Sequence, residues 1–528
     1  MMRRGKAGRV AMLAAWVALT PAAAMARDPD PVLRVPLDPM GYTAPSQGFL
    51  VSGSSMLTVD FVDKDHLLIT FGVRRLMKRA VDPAPDDDDH VIGAFLVELP
   101  SGRVLARTEW RLHDRGQYLW NLGHGRFVLR VRDSLTVFAP VAALDSDDPF
   151  RQSPFLHMDR RIVAILVSAD EDLLTVETAK PEPERFGGDP APTDGAPVQV
   201  NFFRMNSAAD PPDTLLMRSA GVVRTRGAVA LPITTSGFLD VREGGKNRWL
   251  FNFSSHTGKV SELAPFETTC YPHATFVGRG DFVAFGCRGS EDKQDLVGFN
   301  LKGEETWEQI FYDTHIYPTF AFAPAAGRFA LSRLITADGS VNPMSLLAPS
   351  QVGAQEVRVY QSYDGQQLLR IDCSPVERAG QNFALSPDGL RIAVVRESMV
   401  RHPATKDDAA YTDTETAVEV FALPPLSDAD KAAVKEDEAM APVDTGARID
   451  LSLLRVSAGA AAAPAAGGAT GDGVVAAAQA SAPAAAQAAE APRESAPAAG
   501  SGAVWGDPQP DPERKKPTLY GADEGKTE

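Results

Sequence analysis

The chain has 528 residues, enough for one large core or several repeated units, and carries 53 basic against 69 acidic residues for a net charge of -16. That balance repels nucleic-acid phosphates, whose recognition depends on clustered Lys and Arg, and so excludes a nucleic-acid partner. The three cysteines show no Cys-x-x-Cys spacing, which excludes a thioredoxin-like or zinc reading.

Arg3, Arg4, Lys6 and Arg9 precede an apolar run from Val10 to Leu19, followed by Ala24-Met25-Ala26. This order of basic, apolar and small residues predicts a signal peptide over 1–26, cleaved ahead of Arg27. The apolar run is about half the ~20 residues that a bilayer-spanning helix needs. Arg3-Arg4 also opens a twin-arginine reading, but Gly5-Lys6-Ala7 lacks the apolar character expected after it, so an ordinary secretory route is expected. No second run of spanning length follows, and the mature chain is expected in the periplasm or the medium without an integral span.

Seven hairpin patterns come next, each an apolar run, a turn rich in Gly, Asp or Asn, and a second apolar run. They are LTVDFVDKDHLLITF (57–71), YLWNLGHGRFVLRVR (118–132), IVAILVSADEDLLTVET (162–178), the weaker VALPITTSGFLDVRE (229–243), ATFVGRGDFVAFGC (274–287), TFAFAPAAGRFALSRL (319–334) and FALSPDGLRIAVVRE (383–397). The first large apolar residues after the turns, Leu67, Phe127, Leu173, Phe238, Phe282, Phe329 and Ile392, recur about every 54 residues, longer than a compact blade of ~40–45. Loops at 76–90, 180–197, 335–354 and 399–416 account for the surplus, each following the second strand of its unit. Further strands such as VIGAFLVEL, VQVNFFRM, RWLFNFS and AVEVFALP complete four-stranded units.

The expected fold is all-β, a seven-bladed β-propeller of four-stranded antiparallel blades over 27–456, with a β-sandwich or two all-β domains as the alternative. A single sheet cannot bury both faces, whereas radial stacking packs each on its neighbours. The seventh unit lacks a fourth strand, since LSDADKAAVKEDEAM reads as a helix near 427–440 with a Ser or Asp cap. PVLRVPL (31–37) is expected to close the ring from the N-terminal side, with IDLSLLRV (449–456) as the competitor for that slot. Residues 457–528 begin with an Ala/Pro/Gly/Ser tract that has no large side chains to bury, so a disordered tail is expected. Its final polar stretch is either solvated or a short contact peptide.

At ALSPDGLRIAVV the chain resembles the WD40-like, TolB-type (PD40) propeller repeat, in which a Ser-Pro-Asp-Gly turn joins the two innermost strands of a blade. AFAPAAGRFAL lacks the Asp and FVGRGDFVAF lacks the Pro. With its signal peptide, the segment TEWRLHDRGQYLWNLGHGRFVLRVRD and the Ala/Pro-rich tail, the chain is also similar to secreted bacterial propeller proteins. This resemblance implies a fold and no activity.

Cys270 and Cys287 flank one hairpin at near-opposite positions, so an oxidising compartment is expected to join them and leave Cys373 unpaired; three buried thiols are the alternative. Asp86, Asp87, Asp88 and Asp89, with His90, could chelate Ca²⁺ but lack the alternating ligands and Gly bend of such sites, and read as a solvated loop. Trp110, His113, Tyr118, Trp120 and His124 form a cluster able to stack on a sugar or peptide, unless the aromatics are core. No G-x-S-x-G, H-E-x-x-H, Walker or EF-hand pattern occurs, so no catalytic residue, metal or cofactor is assigned. The expected function is a non-catalytic scaffold that binds another envelope or secreted protein through loops at one mouth of the ring. The alternatives are an enzyme of the lyase, lactonase or quinoprotein-like kind using the central funnel, and a tail-tethered structural module.

Overall fold

The computed structural model describes residues 29–44, 56–73, 90–112, 117–131, 134–158, 160–179, 197–205, 218–226, 232–288, 293–312, 319–336, 352–374, 381–404 and 410–443. The signal segment 1–26, Asp86 to Asp89, His113, the competing strand at 449–456 and the tail 457–528 lie outside the described residues.

All seven hairpins form, and each is the inner half of a four-stranded antiparallel sheet in a seven-bladed ring. With strands lettered A to D from the axis outward, blades 1 to 6 cover 58–112, 119–157, 161–226, 233–267, 273–312 and 319–373. Blade 7 takes strands A to C from Phe383–Leu385, Arg391–His402 and Tyr411–Ala422, and its D strand from Leu33–Pro36 at the other end of the chain.

The sandwiching of each blade explains why B strands such as His66–Gly72 and Asp281–Cys287 read as nearly continuous apolar runs rather than alternating ones. Successive side chains point to opposite faces, and here both faces are covered. Leu67 and Ile69 pack against Val395 and Val418 of blade 7, while Leu68 packs against Leu119 and Phe127 of blade 2. The seven repeat anchors occupy equivalent places, and none is more than 1% exposed.

The ring closes through antiparallel pairing of Leu33, Arg34, Val35 and Pro36 with Val420, Glu419, Val418 and Ala417. Val35 and the adjacent Leu37 enter the apolar cluster between blades 7 and 1. Arg34 pairs with Glu415 at 2.8 Å.

Polar ties also link neighbours. The Asn121 amide donates to the Phe61 carbonyl at 2.9 Å, and the Trp307 indole to Ser362 at 2.6 Å. Arg328, 1% exposed, donates to the Gly389 carbonyl of blade 7 at 2.7 Å and to Gln361 at 3.0 Å. Arg328→Met keeps the volume but strands both acceptors, and is expected to cost about 3 kcal/mol. Denaturant unfolding of the two proteins checks this, and a loss below about 1 kcal/mol contradicts it.

Strand direction alternates within a blade, so the A–B and C–D turns share one face of the ring and the B–C and D–A connections share the other. The long connections from Gly72 to His90, Ala179 to Pro197, Thr336 to Val352 and His402 to Tyr411 are all of the B–C kind and leave from that second face, here called the loop face. A further long connection, from Arg204 to Arg218, leaves from the opposite, turn face. After blade 7, helix α1 (Asp428–Met440) begins in a capping box: the Asp430 N–H donates to the Ser427 hydroxyl at 3.1 Å, and the Ser427 N–H to the Asp430 carboxylate at 2.7 Å. Cys270 and Cys287 are joined, with Cα atoms 5.4 Å apart, at the loop-face end of blade 5. Cys373 is buried, and its thiol pKa is raised by that burial.

Candidate functional site

The A strands of blades 1, 2, 3, 6 and 7 wall a cavity of about 230 Å³ along the axis of the ring. Its acidic residues come from strands whose remaining side chains are committed to the core. In the first A strand, Val59 and Phe61 face blade 7, which turns Asp60 toward blade 2 and Asn121. The Asn121 side chain hydrogen-bonds Asp60, and its carbonyl oxygen accepts the Gly123 N–H at 2.9 Å. Burial nevertheless dominates and raises the Asp60 pKa to about 7.

Glu171 reaches the same cavity from the A–B turn of blade 3, at a φ of +59°. Its carboxyl lies over Gly123, where a Cβ would come within 2.0 Å of it; with a φ of +75°, only glycine fits that position. Burial, then Asp172 and Asp170, raise the Glu171 pKa to about 7 against the opposing charge of Arg126. His124 stands in the A–B turn of blade 2 and keeps solvent contact; desolvation first, and then Arg126, lower its pKa. The channel thus holds two carboxyl groups whose pKa values burial raises to about 7 and an imidazole whose pKa burial lowers, with the buried Arg126 guanidinium close enough to act on Glu171 and His124. Such groups can donate or accept protons near pH 7 or bind a small polar molecule. Among the described residues, no three His, Cys, Asp or Glu side chains gather closely enough to hold a metal ion.

Of the aromatic and histidine candidates, Trp120 and His124 line this channel. Trp110 and Tyr118 do not. Trp110 packs edge-on against Phe138 and Phe150, with ring centroids 5.4 and 6.1 Å away, between blades 1 and 2. Tyr118 is 1% exposed, and its hydroxyl donates to the Met56 carbonyl at 2.6 Å and bonds the Thr70 hydroxyl. Both rings are covered because the facing sheets of blades 1 and 2 pack together there, which leaves neither a face for a ligand. Sequence reasoning passed over Asp60, Asn121, Arg126 and Glu171. The available signal was an acid inside an apolar inner strand, LTVDFVD, where burial without a partner is costly.

No family model and no curated protein matches the chain. Among solved structures it is similar to the acylaminoacyl peptidase of Pyrococcus horikoshii, at 9% identity over 73% of this chain and 55% of that one, with a TM-score of 0.40. It is similar also to Hsv2p of Kluyveromyces lactis, at 7% identity over 69% and 99% of the two chains and a TM-score of 0.31. A functionally unknown protein from Desulfotomaculum acetoxidans shares 13% identity over 53% and 92%, with a TM-score of 0.28. The chain spans about half the length of the peptidase it matches, 55%. At these identities and scores none of the three bears on what this chain does.

Proposed function

We propose that the chain is an exported, non-catalytic propeller of the WD40-like TolB type that binds another envelope or secreted protein through the loop face of its ring. The observation that carries this reading is the shared exit of the four long B–C connections, which gathers loops from blades 1, 3, 6 and 7 on one side of a rigid frame. The same face bears a projecting two-stranded ribbon. Backbone bonding from the blade-7 D-strand side ends with the Leu37 N–H donating to the Thr416 carbonyl at 2.9 Å, while Ser398 to His402 continue pairing with Tyr411 to Glu415. Near the end of that ribbon Met399 and Tyr411 are 77% and 53% exposed on its two opposite faces, Tyr411 stacked on His402 with ring centroids 4.5 Å apart, so each face offers an apolar side chain of the kind that protein interfaces use. Export is supported by the basic-apolar-small order of residues 1–26 and by the paired Cys270 and Cys287. Among the described residues no helix is long and apolar enough to cross a membrane. In this reading residues 457–528 are a tether.

A second reading, an enzyme of the lyase, lactonase or quinoprotein-like kind, is favoured by one observation: Asp60 and Glu171 titrate near neutrality in the same channel. Photocrosslinking in cells separates the two. A photoreactive residue at Met399 or Tyr411 is expected to capture one defined envelope protein, and one at Ser101 or Asp364 on the turn face is not. Capture is expected to survive Asp60→Asn with Glu171→Gln. Adducts from the turn face alone, or none from the loop face, reject the loop-face reading.

A further inference from the structure

Surface helices are ordinarily held by an apolar stripe packed on the core. Helix α1 is not. Its one fully buried residue is Asp437, a carboxylate. Apolar support is limited to Val434 against Gly327 in the blade-6 turn, Met440 against Gly280 in the blade-5 turn and Leu426, ahead of the helix, against the cluster between blades 6 and 7.

The Asp437 carboxylate sits in the A–B turn of blade 5. One oxygen accepts the Arg279 N–H at 2.9 Å, the other accepts the Gly280 N–H at 2.8 Å, and the Asp281 N–H bonds it as well. Successive backbone N–H groups pointing at one anion form a nest. The fit leaves no room for side chains in the turn: a Cβ on Gly278 would lie 2.5 Å from the carboxylate, and one on Gly280 would lie 2.8 Å from the Asp437 carbonyl oxygen. The Arg279 guanidinium is turned away to Asp172 of blade 3, at 2.8 Å, so the amides do the binding. On the C–D turn of the same blade Lys302 pairs with Glu436, the residue preceding Asp437.

We propose that the Val277–Asp281 turn, with Lys302 beside it, is a recognition site for an aspartate carboxylate carried on an acidic helix, and that α1 occupies it as an intramolecular competitor. A partner presenting an acidic helical segment reaches the turn only by displacing α1. The nest selects a carboxylate because three N–H donors converge on one anion. Lys302 selects a second acid immediately before it, which is the Glu436-Asp437 pair of α1. Too little apolar surface is buried to make α1 permanent, so it belongs to the low-stability end of the molecule.

The same geometry makes the clasp sensitive to pH. Asp281 faces Asp437 and Glu436 from the helix and Lys302 from the C–D turn; burial first, and then the two acids, raise its pKa to about 7. Burial, only partly offset by the three N–H donors, raises the Asp437 pKa as well, and Glu438 adds negative charge beside it. Above pH 7 Asp281 ionises next to Asp437, and repulsion loosens α1; below it, the neutral Asp281 leaves the nest undisturbed.

Two measurements on the full chain test this. In hydrogen exchange, corrected for intrinsic rates, the α1 amides of the wild-type protein are expected to lose about tenfold protection relative to the B strands between pH 5.5 and pH 8. Asp281→Asn should abolish that pH dependence, and Asp437→Asn should lower α1 protection about tenfold or more at pH 6. A fluorescent peptide of residues 425–443 is expected to bind the Asp437→Asn chain and to bind the wild-type chain at least about tenfold more weakly, since the tethered helix competes at high effective concentration. The peptide carrying Asp437→Asn should bind neither. Protection of α1 that matches the blades and ignores pH, equal peptide affinity for the two chains, or binding by the asparagine peptide each overturns the proposal.

Discussion

Deletion of residues 27–40 is expected to lower the melting temperature by roughly 6 °C. Leu33–Pro36 is the D strand of blade 7, and without it the Tyr411–Ala422 strand becomes an open edge. Val35 and Leu37, at 1% and 0% exposure, leave the cluster that also holds Val59, Phe61, Leu67 and Val418. Two such side chains contribute roughly 1.5 to 3 kcal/mol each. Loss of the strand pairing and of the Arg34 ion pairs to Glu415 and Glu419 adds to this. The sum, on the order of 5 kcal/mol, is comparable with the whole stability of an ordinary domain. The single change Val35→Asp, which buries an unpaired charge at the same joint, should act in the same direction. A thermal melt unchanged by the deletion rejects closure by the N-terminal strand.

Raising the pH from 5 to 8 is expected to destabilise the protein, against the common pattern in which carboxylates favour the folded state as they ionise. Asp60, Glu171 and Asp281 each have a folded pKa of about 7, above ordinary values of 3.8 to 4.5. Between those limits the folded chain holds protons that the unfolded chain has released, so stability falls as pH rises and levels off above the folded pKa. At 1.36 kcal/mol per pKa unit, the upper bound is roughly 4 kcal/mol for each aspartate. Asp295, raised to about 6 chiefly by burial, adds to the lower part of the range. His124 and His273, whose pKa values are lowered by burial, oppose the trend below 6.5. Glu356, held low by Arg358 and Arg333 despite its burial, matters only below its ordinary 4.5. Melting temperatures across the range should therefore decline from pH 5 to pH 7.5, and the triple variant Asp60→Asn, Glu171→Gln, Asp281→Asn should flatten the decline. A wild-type melt that rises over this range contradicts the account.

The blade repeat was legible because of what sandwiching demands. A strand covered on both faces needs a nearly continuous apolar run, and LLI, FVL and FVAFGC are such runs, each preceded by a turn that only certain residues can make. In Ser386-Pro387-Asp388-Gly389 the Asp388 carboxylate accepts the Ser386 hydroxyl at 2.6 Å and the Leu390 N–H at 3.1 Å, which is local chemistry that a sequence displays directly. For the aromatic cluster the residues left a binding face and core packing both open. Whether Trp110 and Tyr118 line a cleft or a core depends on Phe138, Phe150, Met56 and Thr70, none of them a sequence neighbour.

What the residues determined alone was the unit: an apolar strand, a specified turn, a second strand, seven times over, with a capped helix at the end, because strand period, turn chemistry and capping act within a few residues. What tertiary structure decided was every meeting between units. It turned Asp60 toward Asn121 across a blade boundary, laid Glu171 over Gly123, and seated Asp437 on the amides of a turn 157 residues earlier. Those groups acquire their pKa values and partners only when the ring closes, since desolvation and charge proximity depend on distance in space, which chain order does not record.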